Sequence, residues 1–287
     1  FIQLHAVNHT RIFETEEIEL AKTLTNQAAV AIEKARLYEA TVARYEEEQQ
    51  MARQIQQNLL PRNVPRIPGL QIAGLCRPAQ ATGGDFFDYI PLPGNKLGVV
   101  VGDVTGKSLP AAMVMALARN TIRAETLSLV WPNLVMTAAN QMLSEDIRRG
   151  TFVATVSALL DPTNKKLLLV NAGQTATLLH RNNQIQFLLP DEAAGLPLGI
   201  QPDIIYSQAE IDLLPGDTLL FYTDGIVEAK NSSGDMFGFD RLETVLQSIP
   251  PNAPAETVLH GLLADMEKFV GGAEQHDDIT LVVVQIK

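Results

Sequence analysis

The sequence predicts an α+β fold headed by one long helix, and three observations carry that prediction. From Glu16 to about Leu60 there is no Gly or Pro, and Ala, Glu, Gln, Lys and Arg dominate. Beyond Gly69 the texture changes to short apolar runs bounded by Gly, Pro, Asn and Asp, the pattern of strands. The helical patterns among them fall in two blocks and do not alternate one by one with strands, which favours layered α+β packing over βαβ units.

The long helix opens at Thr15-Glu16-Glu17-Ile18, an N-cap signal followed by acidic first-turn residues that suit the helix dipole. Leu24, Ala28, Ala31, Ala35, Tyr38, Val42, Tyr45, Ala52 and Leu59 then recur at alternating four and three spacing, with Gln49 and Gln56 in the same stripe. Such spacing makes a coiled-coil seam, weakened by its alanines and glutamines. A parallel homodimer through this helix is the expectation; a single helix packed on its own domain is the alternative. Pro61, Pro65, Pro68 and Gly69 end the helix and mark a linker. Strands are expected over 70–76, 96–104, 151–160, 166–172, 176–181, 184–189, 218–223 and 280–286, and helices over 110–129, 132–149, 240–247 and 255–269. Asn182-Asn183 between two strand runs is a hairpin signal.

Composition narrows the function. A net charge of −11 argues against nucleic acid as the main partner, because phosphate backbones reward clustered Lys and Arg. A single cysteine, Cys76, rules out an intrachain disulfide, fits a reducing compartment, and lies in a strand pattern that makes it a core residue. No apolar run approaches the roughly 18 residues of a membrane span, and no signal peptide opens the chain, so a cytoplasmic protein is expected. The chain starts at Phe1 within a strand-like run, which suggests a piece of a longer protein.

The chemistry is expected where carboxylates stand beside glycine at strand ends: Gly83-Gly84-Asp85, Gly102-Asp103, Asp224-Gly225, and Asp277-Asp278 before a strand. An Asp-Gly pair alone is an ordinary turn. Several carboxylates held at the ends of apolar strands would repel one another unless cations neutralise them. Oxygen donors without clustered Cys or His favour Mg²⁺ or Mn²⁺ over Zn²⁺, and the five histidines show no ligand spacing. Asp88 and Asp278 read as turn or orienting residues, His276 and Lys107 as surface groups.

At these residues the chain resembles the SpoIIE/RsbU-type branch of the metal-dependent, protein phosphatase 2C-like (PPM) family. The resemblance rests on Gly83-Gly-Asp-Phe-Phe-Asp88, Gly102-Asp-Val-Thr-Gly-Lys107, Thr151-Phe-Val-Ala-Thr155, Asn171-Ala-Gly173 and Gly195-Leu-Pro-Leu-Gly199. The block from Pro215 to Ala229, with Tyr222-Thr-Asp-Gly225 inside it, then Phe237-Gly-Phe-Asp-Arg-Leu242 and Asp277-Asp-Ile-Thr280 complete the series in order. It implies a phosphatase domain over 69–287, with an α/β/β/α four-layer sandwich of two antiparallel sheets flanked by helices. It also implies hydrolysis of phosphoserine or phosphothreonine at two Mn²⁺ or Mg²⁺ ions. Asp103 would bridge the ions, the Val104 carbonyl would complete one of them, Asp224 and Asp277 would hold the second, and Asp85 would bind directly or through water. The implied substrate is a phosphorylated regulatory protein, with STAS-type anti-sigma-factor antagonists as natural candidates. The family pattern usually has histidine where this chain has Gln174, proline at Ala176, and glycine at Ser108. Gln174 keeps open a catalytically weak phosphoprotein-binding scaffold; a small-molecule phosphomonoesterase is the other alternative. Residues 1–38, especially Gln27 to Tyr38, resemble the tail of a GAF sensor domain, with 16–60 as a coiled-coil linker. Repacking of that linker about Gln49 and Gln56 is expected to reach the active site through Pro61.

Overall fold

Strand register and sheet order explain how distant aspartates meet. The computed structural model describes residues 12–189, 194–250 and 252–287, so the strand expected before Val7 lies outside the described residues. Two compact units divide between Met51 and Ala52.

The first unit is helical. Helix α1 (Thr15–Leu59) has 45 residues, about 68 Å at 1.5 Å per residue, within a residue of the sequence expectation. Its start is fixed one residue earlier than expected: the Glu17 carboxylate accepts the Glu14 N–H at 3.0 Å, the reach-back half of a capping box. Leu20, Leu24, Ile32, Leu37, Tyr38 and Tyr45 are exposed along it. The last two turns of α1, from Ala52, belong to the second unit.

The second unit stacks four layers. One sheet runs β1 (Leu70–Arg77), β11 (Ile279–Ile286), β10 (Thr218–Tyr222), β6 (Thr177–Arg181), β7 (Gln184–Leu188), all antiparallel. The other runs β2 (Phe86–Leu92), β3 (Lys96–Val104), β4 (Val153–Asp161), β5 (Lys166–Ala172), with β9 (Ala209–Asp212) antiparallel on β5 and the two-residue β8 (Ala194–Gly195) parallel to it. Helices α2 (Ser108–Leu129) and α3 (Pro132–Asp146) cover the second sheet, α4 (Gly238–Ser248) and α5 (Ala255–Val270) the first. The expected hairpin turn is present, with Asn182 and Asn183 at φ 50° and 62° between β6 and β7.

Alternation along each strand decides which layer its side chains fill. In β3, Leu97, Val99 and Val101 enter the core between the sheets, while Val100 and Val104 enter the core beneath α2 and α3. In β11, Val282, Val284 and Ile286 face the inter-sheet core and Ile279, Leu281 and Val283 face α4 and α5. Both strands are therefore buried on two faces and read as unbroken apolar runs. Strand β2 was not expected. Its Phe-Phe-Asp-Tyr-Ile-Pro-Leu run carries a buried aspartate and a proline, both poor strand signals. Asp88 is accommodated because Arg119 and Arg123 of α2 each approach its carboxylate at 2.9 Å.

Candidate functional site

Antiparallel pairing puts four strand ends on one edge of the sandwich. Phe86, which opens β2, pairs with Gly102 near the end of β3; Tyr222, which closes β10, pairs with Leu281 near the start of β11. Asp85, Asp103, Asp224 and the Asp277-Asp278 pair all stand at these ends. Asp224 opens a single 3₁₀ turn, Asp224–Ile226, directly after β10.

Asp278 ties the two sheets together at this edge. Its carboxylate accepts the N–H of Ala79 at 2.8 Å, of Gly84 at 2.7 Å and of Asp85 at 3.3 Å. The orienting role expected from sequence is thus met by backbone amides, with no side-chain donor involved. The Gly83-Gly84 step is pressed against β3: a Cβ on Gly84 would stand 2.6 Å from the Val104 carbonyl oxygen and 3.1 Å from the Asp103 carboxylate. Gly225 is equally confined, since a Cβ there would overlap the Asp278 carbonyl oxygen. Both glycines are required by close approach of backbone and carboxylates.

Asp85 is buried, and the Thr223 hydroxyl donates to its Oδ2 at 2.6 Å. Thr223 Oγ1 in turn accepts the Thr280 N–H at 3.0 Å. Burial pushes the Asp85 carboxyl well above the ordinary range, and the neighbouring Asp103 and Asp278 push it further. Burial, followed by the charges of Asp224, Asp277 and Asp278, raises Asp103 to about 7. Asp224 is raised by burial and by Glu228 and Asp277. The acids thus sense one another across both sheets, with a surplus of negative charge and no arginine among them. Among the described residues, no three Asp, Glu, His or Cys side chains form a ready-made metal cage.

The remaining expectations sort by contact. Asp88 is not part of this edge; it belongs to the arginine cluster on the α2 side. Lys107 is tethered: its Nζ donates to the His276 carbonyl at 2.8 Å and lies 3.8 Å from Asp277. The His276 side chain is exposed. Cys76 is half-buried, and burial pushes its thiol far up, consistent with an inert thiol in a strand. Gln174 spends its amide on backbone, donating to Ala154 at 3.4 Å and accepting from Thr175 at 2.8 Å. Ser108 sits at φ 69°, a left-handed position that explains the glycine expected there, and its hydroxyl contacts Gln80 at 2.5 Å.

Two contributors were missed. Thr223 lies inside the Tyr-Thr-Asp-Gly block, but nothing in sequence shows that its hydroxyl faces Asp85. Gln56 was read as a seam residue alongside Gln49. In the structure it is 4% exposed, donates from Nε2 to the Gly83 carbonyl at 2.7 Å and accepts the Gly83 N–H at 3.1 Å. Leu59, half-buried, lines an open groove together with Leu109, Ala112 and Met113 of α2. Gln56 is therefore taken by the chain's own second unit and is not free to serve in a seam.

The family profile of stage II sporulation protein E (SpoIIE) matches residues 93–287, more than half of the chain. The chain belongs to the SpoIIE family. It is similar to protein IcfG of Synechocystis (27% identical over 265 residues, 83% of this chain and 41% of that protein). It also resembles phosphoserine phosphatase RsbU of Bacillus subtilis (25% over 240 residues, 83% of this chain and 70% of RsbU). The chain thus spans less than half of IcfG. Among solved structures, the SiaA PP2C domain of Pseudomonas aeruginosa superposes with a TM-score of 0.76 at 21% identity, covering 86% of this chain and 98% of that domain. The RsbU and RsbW domains of a Mycobacterium tuberculosis protein superpose with a TM-score of 0.68 at 26% identity, covering 80% and 63%. The four-layer arrangement is the PP2C-like fold.

Proposed function

We propose that the chain is a divalent-metal-dependent protein serine/threonine phosphatase. The observation that carries this reading is the convergence of Asp85, Asp103 and Asp224, each raised by burial and by neighbouring carboxylates, on one edge of a SpoIIE-family sandwich. Repelling carboxylates of this kind are stabilised by a bound cation. All donors are hard oxygens, and the Val104 carbonyl lies beside Asp103 across Gly84, so the residues fit Mn²⁺ or Mg²⁺.

In this reading Asp103, the Val104 carbonyl, Asp224 and Asp277 would hold two divalent ions, with Asp85 binding directly or through water. When bound, the ions supply Lewis acidity toward water and toward the phosphoryl oxygens. The protein's own part is positioning. Asp278 fixes the Gly84-Asp85 backbone, and Thr223 fixes the Asp85 carboxylate, so neither needs to reorganise as phosphate arrives.

The substrate we propose is a phosphorylated regulatory protein, in line with the name of its relative RsbU, a phosphoserine phosphatase; a STAS-type antagonist is the class the motif resemblance favours. The exposed apolar stripe over Leu24, Tyr38, Val42 and Tyr45 supports a homodimer through α1. No described helix is long and apolar enough to cross a membrane.

The test is manganese-dependent hydrolysis of p-nitrophenyl phosphate and of a phosphoserine peptide. Asp103→Asn is expected to lower kcat/KM by roughly 10³-fold on both, and a chelator to abolish turnover. Equal activity of variant and wild type, or indifference to chelator, rules the reading out. Nucleotide or sugar phosphate preferred over phosphopeptide favours a small-molecule phosphomonoesterase.

A further inference from the structure

Next to the acidic edge is a cleft of about 460 Å³, within the range of side-chain and small-ligand pockets. Gly225 and Asp277 line it on the side of the aspartates, so the cleft and the edge are continuous. Its inner wall is apolar, formed by Ala229, Met266, Val270 and Ala273. Charged groups ring it: Arg77 pairs with Glu267 at 2.7 Å and Lys107 lies 3.8 Å from Asp277, while Glu228, Lys230 and Glu274 also line it. A cleft with one apolar wall that opens beside the aspartates desolvates an apolar group against that wall while its charged rim stays in water.

We propose that this cleft is a specificity subsite, receiving a bulky apolar side chain that flanks the phosphorylated serine or threonine of the protein substrate. The proposal rests on the phosphatase reading and adds to it a determinant of which phosphoprotein is accepted. Filling the cleft orients the peptide across the edge, with the phosphate over the aspartates and the flanking residue desolvated against Met266 and Ala273. A substrate lacking that residue loses ground-state and transition-state contact alike, which raises KM more than it lowers kcat.

The experiment compares a phosphoserine peptide of glycine and alanine with versions carrying Phe, Glu or Lys at each flanking position in turn, with p-nitrophenyl phosphate as a substrate too small to reach the cleft. With wild type and Mn²⁺, Phe at one position is expected to raise kcat/KM about tenfold, mainly through KM. In Ala273→Phe, whose ring occupies the cleft, that gain is expected to vanish, with p-nitrophenyl phosphate turnover within about twofold of wild type. Ala273→Leu gives a smaller obstruction should the larger ring impair folding, and is expected to reduce the gain part-way. No gain from Phe at any position, a gain confined to Glu or Lys, or a gain that survives in both variants overturns the proposal. Absence of manganese-dependent p-nitrophenyl phosphate turnover in wild type overturns the phosphatase reading, and the cleft proposal with it.

Discussion

Asp85 and Asp88 lie three residues apart, are both 2% exposed, and come from one Gly-Gly-Asp-Phe-Phe-Asp run, yet their surroundings are opposite. Asp88 meets two arginines of α2 and its own Tyr89 N–H. Asp85 meets a threonine hydroxyl and other carboxylates. The first is a buried charge neutralised from within the chain, joining α2 to β2. The second belongs to a group of carboxylates for which, among the described residues, only Lys107 beside Asp277 supplies a cation. A fold that carries both shows that it can pair a buried aspartate where pairing serves structure. Asp85, Asp103 and Asp224 have no ion pair among the described residues, which is what the proposed cation site would require.

The largest effect expected from breaking this contrast is at Asp88. Asp88→Asn strands Arg119 and Arg123 against a buried neutral group and should cost about 3–5 kcal/mol in denaturant unfolding. Manganese-dependent turnover per folded molecule should hold. At the other site the sign reverses. Asp103 is raised to about 7, so its charged form is disfavoured in the folded state. Between the unfolded carboxylate pKa and about 7 the unfolded chain has already released this proton while the folded one retains it, so metal-free stability falls as pH rises through that window. Asp103→Asn should flatten this dependence and stabilise the metal-free protein near neutral pH, by something on the order of 1–3 kcal/mol after allowing for solvent screening. Urea titrations at several pH values, with and without Mn²⁺, read both. Saturating Mn²⁺ should erase the difference in slope for wild type alone.

The same contrast explains what sequence reasoning could reach. Long apolar runs such as Leu97–Val101 and Thr280–Ile286 are unambiguous because both faces are buried, and the strand-end aspartates are visible because glycines flank them. Strand β2 escaped because the property that makes Asp88 tolerable there, a pair of arginines more than 30 residues away, is not local. Thr223 escaped for the same reason, its partner Asp85 being 138 residues distant. Gln56 shows the converse error. A stripe at heptad spacing was extended to the end of the helix, although Gln56 is buried and bonded to Gly83. Periodicity identifies a buried face; it does not say what buries it.

Gln56 links the helix to the acidic edge two residues before Asp85, and its loss is the next effect in size. Gln56→Leu keeps the volume and leaves both the Gly83 N–H and carbonyl without partners, a cost of about 1–3 kcal/mol. Thermal unfolding measures that cost. If the cost is local to the Gly83-Gly84 step, Mn²⁺ affinity by titration should fall in parallel; unchanged affinity would show that Asp278 alone holds the Asp85 backbone in place.

The smallest effect expected is at Ser108, on the margin of both regions. Its φ of 69° places a serine where glycine is at ease, and its hydroxyl is held by Gln80. A non-glycine residue in this conformation costs on the order of 1 kcal/mol, partly recovered here through the hydroxyl contact and through the lower entropy of serine when unfolded. Ser108→Gly should therefore change stability by no more than about 0.5–1 kcal/mol, in the stabilising direction if backbone strain outweighs the lost contact. Ser108→Val, with a branched side chain and no hydroxyl, should be worse than either. If glycine and valine prove equally tolerated, the start of α2 is not under strain, and the departure from the family pattern at this position has no energetic content.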